Sequence, residues 1–270
     1  MTLTVLPGTN VERLLTTLDD LSSKLSTVGT GNKFEVFNQY LRWANEAGMR
    51  LGQMLAPGDV NTLVLTQRHW ALQGIDPAAN EALMWLLQGE IEERVRAFAA
   101  AQEDLRAQVR RWQAHAGKLV IADTNVYLHH KVMFTEVDWG AVVKEEESDQ
   151  IELVVPLLVV DELDHAKLGK ARSRARLTLR AMDEMFQEPL RPAPIEAIGS
   201  QVRVRAHLLL DDASHVRLPH ADSELVDRCR ALADVTGRPV TLVTFDTGMV
   251  LRARAAHLTV AKLKHLTSPE

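Results

Sequence analysis

Cysteine is almost absent from this chain, and that scarcity narrows its chemistry. The single Cys229 leaves no intramolecular disulfide framework and no cysteine-rich zinc site. Such a composition suits a reducing interior. No stretch approaches the about 18 uninterrupted apolar residues of a membrane span. The N-terminus, MTLTVLPGTNVERLL, lacks a basic flank followed by an apolar run, so no signal peptide is expected. The expectation is a cytoplasmic protein without membrane association. Overall positive charge is missing too: the formal net charge is −5, so any nucleic-acid contact must come from a local basic patch. Internal repeats and low-complexity runs are not found. What is present is 46% hydrophobic and 25% charged residues over 270 positions, enough for one large domain or two modest ones with a real core.

The chain changes character near Gly117. Before it, apolar residues recur at helical spacing. Leu14, Leu15, Leu18, Leu21 and Leu25 mark one amphipathic stretch, with Thr9 or Asn10 as its cap. Phe34, Phe37, Leu41, Ala44 and Gly48 mark a second. A third is expected over 77–116, started by Asp76-Pro77, with Leu83, Leu86, Leu87, Ile91, Val95 and Phe98 as its stripe. Glu92, Glu93, Arg96, Glu103 and Arg110 lie opposite that stripe, a pattern that suits a bundle, a homodimer interface or a regulatory partner. Between the second and third stretches, VNTLVLTQRHWALQG reads as strand or loop. Trp43, Trp70, Trp85 and Trp112 read as core or interface residues.

After Gly117, strands and helices alternate. KLVIADTN, IELVVPLLVVDEL, VRVRAHLLLDD, RPVTLVTFD and HLTVAKL read as strands. Helices are expected after Asp138, over 161–186, over 222–236 and around 249–256. Nearly continuous apolar strands alternating with helices imply a parallel sheet covered on both faces. The expected organisation is a mainly helical domain over 1–117, of unknown role, and an α/β domain over 118–270.

In such sheets ligands bind beyond the carboxyl ends of the strands. Asp123 directly follows LVIA, and Asp246 follows LVTF. Glu162 comes after VVPLLVV, and Asp222 opens the helix of ADSELVDRC. All four carboxylates are therefore expected at one edge. Singly, each has a plainer reading: Asp123, Asp222 and Asp246 as caps, Glu162 as a complement to a helix dipole. Jointly, crowded carboxylates repel unless a cation neutralises them, and oxygen-only ligands favour Mg2+ or Mn2+.

The ordered set resembles the PIN-domain family. KLVIADTNVYL is similar to its opening strand, with Asp123 followed by Thr124 and Asn125. VVPLLVVDELDHAK carries the second acid, Glu162; HADSELVDRC carries Asp222; VTLVTFDTGMVLRARAAHLTVAKL carries Thr244 and Asp246. The match spans 118–266 and leaves 1–117 outside it. The resemblance implies a small parallel sheet, one or two divalent metal ions, and cleavage of phosphodiester bonds, most often in single-stranded RNA. Asp123, Glu162 and Asp246 would hold the principal metal, and Asp222 a second metal or a water, with Thr124, Asn125 and Thr244 in support. Ser223 and Thr247 stand where many members carry further acids or an Asn, which weakens a second metal position.

Substrate needs positive charge near such an edge. Lys167, Lys170, Arg172, Arg174, Arg176 and Arg180 supply it after Glu162, and Arg252 and Arg254 after Asp246. A solvated helix face balanced by Asp161 and Asp164 is the plainer alternative. His129, His130, His165 and His220 flank the motifs as candidate contacts, and Tyr127 and Phe134 as stacking or packing residues. Competing readings are a non-catalytic RNA-binding or scaffold protein on the same fold, a nuclease directed at DNA, and a phosphatase with an aspartate nucleophile. The last is disfavoured because DTNVY lacks a second acid two residues after Asp123.

Overall fold

The computed structural model describes residues 3–6, 8–144, 150–196, 202–211 and 215–264. The chain separates into two compact units, one of residues 1–112 with 234–236 and one of 113–233 with 237–270.

The first unit is helical. Its elements are α1 (Val11–Thr27), α2 (Lys33–Leu51), α3 (Pro57–Leu63), α4 (Gln67–Gln73) and α5 (Leu83–Gln113). Asn10 caps α1 by accepting from the Arg13 amide, and Asn32 and Glu35 close a capping box on α2. Leu14, Leu18, Leu21 and Leu25 of α1 pack with Tyr40 and Trp43 of α2 and Phe98 of α5. Each such fully buried side chain contributes about 1.5–3 kcal/mol of transfer free energy. The segment read as strand or loop is instead the two short helices α3 and α4; Pro57 at the first turn and Thr66 as a cap make the starts. Helix α5 begins at Leu83, because Asp76 spends its side chain on the Ala78 amide, a local turn.

The phase of α5 also departs from its apolar stripe. Glu90 and Arg94 are buried and paired at 3.1 Å, while Leu86 and Val95 are exposed. Tyr40 and Thr66 donate to Glu90, and Arg94 donates to the Thr62 and Leu63 carbonyls. A charge pair thus occupies part of the core-facing side, where an apolar count does not look for it. Trp43 and Trp112 are buried as expected, whereas Trp70 and Trp85 are 55% and 81% exposed.

The second unit is α/β. Its strands are β1 (Lys118–Ala122), β2 (Gln150–Pro156), β3 (Ala193–Ile195), β4 (Arg203–Leu209), β5 (Val240–Thr244) and β6 (Thr259–Lys262), in the order β3-β4-β2-β1-β5-β6. All pairings are parallel except that of β3, a short antiparallel edge strand not foreseen from the sequence. Helices α6 (Thr124–His129), α7 (Trp139–Val143), α8 (Leu157–Ala166), α9 (Arg172–Met185), α10 (Ala221–Thr236) and α11 (Thr247–Ala255) complete it. Strand β1 is buried from Leu119 to Ala122, as a central strand covered on both faces must be. The order runs outward in both directions from β1, which sets the topological switch point between β1 and β5.

The run IELVVPLLVVDEL, read as one strand, is divided. Pro156 ends β2 and stands as the N-cap of α8, so Glu162 sits in the second turn of a helix rather than at a strand end. The helix expected over 161–186 is correspondingly two, α8 and α9. No helix among the described residues is long and apolar enough to cross a membrane.

Candidate metal centre and nucleic-acid interface

The switch point places Asp123 at the end of β1 and Asp246 just past β5, as adjacent strand ends. The Asp123 amide donates to the Val243 carbonyl at 2.9 Å, extending the ladder by one bond. Its side chain is buried. Oδ2 accepts from the Thr244 hydroxyl at 2.8 Å, and Oδ1 caps α6 through the Asn125 amide. Thr244 in turn accepts from the Asp246 amide at 3.0 Å. That second bond takes up the acceptor side of the hydroxyl and leaves its proton for Asp123. Thr124 donates to Glu162 Oε2, tying the end of β1 to α8.

Asp222 is not the cap of α10. His220 holds the N-cap position, and Asp222 is the second residue of the helix. The loop ahead of it is fixed by Glu224, which is fully buried and accepts from His215 Nε2 at 2.6 Å and the Leu218 amide at 2.8 Å. The Asp222 carboxylate meets Arg252 Nη1 of α11 at 2.9 Å. Asp246 is exposed and caps α11 by accepting from the Met249 amide at 2.7 Å, so the plain reading holds for it alongside any other role.

Electrostatics unites three of the four acids. Burial pushes the Asp123 carboxyl above the usual range; the hydrogen bonds from Thr244 and Asn125 oppose this, and the charge of Asp222 adds to it. Burial likewise raises Glu162; its bond from Thr124 opposes the rise, and the charges of Asp123 and Asp222 reinforce it. The donors are all oxygen, the type that a hard divalent ion takes, but among the described residues no three of these acids bring one carboxylate oxygen each within 4.8 Å of the others.

The basic residues divide. Arg174 of α9 spends its guanidinium on the carbonyls of Tyr127, His130 and Val132, and so holds the segment after α6 in place. Lys167 pairs with Asp164. Lys170, Arg172, Arg176 and Arg180 are exposed, the last three forming a row at i, i+4 and i+8. Asp161 and Asp211 share Arg217. His165 bonds the Asp161 carbonyl at 2.8 Å, and His129 and His220 are exposed. Tyr127 and Phe134 are buried edge to face, which is packing rather than a stacking platform. A concavity of about 810 Å³ on the helical unit includes Thr66, Trp70, Arg96 and Ala97 in its lining, where Glu93 and Arg94 are paired with each other at 2.9 Å.

Glu224 is not the acid that its segment HADSELVDRC points to, Glu152 stands in no motif of the sequence, and Arg252, expected as a substrate contact, pairs with Asp222 instead. Arg252 lies six residues past Asp246, about 1.7 turns along the helix whose start that aspartate caps. The PIN-domain family profile matches residues 120–264 of the chain. This protein belongs to the PIN-domain family. PIN domains are in general nucleases, commonly metal-dependent ribonucleases using Mg2+ or Mn2+. Comparison with curated proteins returns no match. The first 119 residues lie outside the PIN match.

Proposed function

We propose that this PIN domain is a divalent-metal-dependent endoribonuclease that hydrolyses phosphodiester bonds in single-stranded RNA. The observation that carries the reading is the buried Asp123 at the switch point, held by Thr244, with burial and the charge of Asp222 raising its pKa and its own charge raising that of Glu162. Asp123 and Glu162 would hold one Mg2+ or Mn2+ ion, with Asp246 and Asp222 completing its surroundings directly or through water. The ion, when bound, supplies a lowered water pKa and screens charge on the scissile phosphate. The chain's own groups do the rest. Thr124 and Thr244 fix the carboxylates so that ion entry costs little reorganisation. Arg252 pairs with Asp222, which favours one ion over two. Lys170, Arg172 and Arg176 would take backbone phosphates, a contact that grips without reading sequence.

The test is cleavage of labelled single-stranded RNA and DNA with Mn2+ or Mg2+, comparing wild type with Asp123→Asn. The expected result is metal-dependent RNA cutting that the substitution lowers by at least about 100-fold. Preferential cutting of DNA would redirect the substrate assignment. Failure of a folded, metal-loaded protein to cut either would replace this reading with that of a non-catalytic binding protein.

A further inference from the structure

A second polar cluster sits on the same sheet, toward the starts of its strands. Glu152 is the third residue of β2 and lies in register with Leu119 of β1 and Arg205 of β4. His207, two residues further along β4, shares its face, because strand side chains alternate. His115 arrives from the segment before β1, its ring edge-on to that of His207 with centroids 4.7 Å apart. One ligand atom from each of His115, Glu152 and His207 lies within 4.8 Å of the other two. Leu119 precedes Asp123 by four residues, so this cluster is about 13 Å from the acidic edge along β1.

Glu152 is fully buried and His207 nearly so. A buried carboxylate needs neutralising, and two imidazoles beside it make a set of two nitrogens and one oxygen. Its two oxygens are differently occupied. Oε1 accepts from Gln150 Nε2 and Arg205 Nη2, each at 2.5 Å, with the Gly117 amide at 3.4 Å. Oε2 faces His207 Nε2 at 2.5 Å and Arg205 Nε at 3.2 Å. The first oxygen is thus oriented by its neighbours, as the outer atom of a metal-bound carboxylate is, and the second points at a ligand nitrogen. Arg205 keeps 32% of its side chain exposed and can turn to water without burying a charge.

We propose that His115, Glu152 and His207 form a binding site for a borderline transition-metal ion of the Zn2+ class, with Arg205 standing in as the cation when the metal is absent. His207 would carry its proton on Nδ1 while Nε2 binds the ion, and water would complete the tetrahedral set. Nitrogen donors separate this site from the oxygen-only acids, so the two take different metals. The inference does not depend on the nuclease reading.

The test is titration of the full-length chain with Zn2+ by calorimetry, and with Co2+ by visible absorption, in excess Mg2+ to occupy the acidic edge. One equivalent is expected to bind. His115→Ala, outside the strands and so compatible with folding, and His207→Gln should each weaken binding by at least about tenfold. Asp123→Asn should leave binding unchanged, and Arg205→Gln should tighten it. No uptake by wild type, uptake indifferent to both histidine variants, or uptake lost in Asp123→Asn would overturn the site. Weaker binding by Arg205→Gln would overturn the stand-in role.

Discussion

Two buried carboxylates near opposite ends of one sheet have been treated in opposite ways. Glu152 has a guanidinium and an imidazole against it. Burial alone would raise its pKa, but the bonds from His207 and Arg205 win and bring it to about 2. Asp123 has a hydroxyl and an amide against it and the like charge of Asp222 nearby, so burial wins and its pKa rises. The first arrangement is closed by Arg205, the group that would give way to a metal ion at that cluster. The second is left in deficit, and a deficit of negative charge stabilisation is what gives a site affinity for a cation. Burial of an acid is therefore not by itself the signature of function; the character of its partners is.

That contrast is open to direct measurement. The largest effect is expected from Glu152→Gln, which removes the charge that Arg205 and His207 answer. Arg205 can turn to water, so the loss falls mainly on the buried His207 bond and should cost about 2–3 kcal/mol, read by denaturant unfolding followed at the C-terminal unit. A loss under about 1 kcal/mol would mean that the cluster is not closed. Next, Thr244→Val should lower Mn2+ affinity at the acidic edge by about 10–100-fold without unfolding the sheet, checked by calorimetry beside thermal melting.

Third, Asp123→Asn should raise the metal-free melting temperature by about 2–4 °C, the shift that about 1 kcal/mol produces in a chain of this size. The pH sign follows. A folded-state pKa raised above the unfolded value means that ionisation of Asp123 and Glu162 costs stability, a cost relieved as pH falls through their raised values. Glu152 is depressed, so its contribution is complete above the ordinary value of 4.5 and is lost as pH falls toward about 2. Metal-free melts from pH 7 downward should therefore show relief first and loss afterwards, with Asp123→Asn reducing the relief. The smallest effect is expected from Arg172→Ala and Arg176→Ala, each lowering the salt slope of RNA binding by about 1. Arg174→Ala should instead lower stability, because its guanidinium serves backbone carbonyls.

Asp123 and Asp246 were legible in the sequence because each follows an apolar run directly, and a strand end is a position that periodicity can find. Thr244 was legible through the same motif. Glu162 was expected early in a helix and lies in one, but that helix starts four residues sooner, at Leu157, since VVPLLVV reads as one apolar run whether or not Pro156 turns it into a helix. Arg174 and Arg176 look alike as letters on a basic helix; only packing shows that one faces carbonyls and the other water. Glu152 was overlooked inside IELVV, although a glutamate within a strand buried on both faces demands a partner, and that partner, His207, lies 55 residues away. The buried Glu90–Arg94 pair escaped for the same reason: patterns of apolarity do not register charges that satisfy each other.

Trp139 begins α7 with its ring fully buried and its Nε1 donating to the Phe134 carbonyl at 2.9 Å. It is the single tryptophan of the chain beyond residue 112. Replacing Trp43, Trp70, Trp85 and Trp112 with phenylalanine would leave one indole, whose emission colour reports on the PIN unit alone. Melting of that unit could then be watched optically within the intact chain.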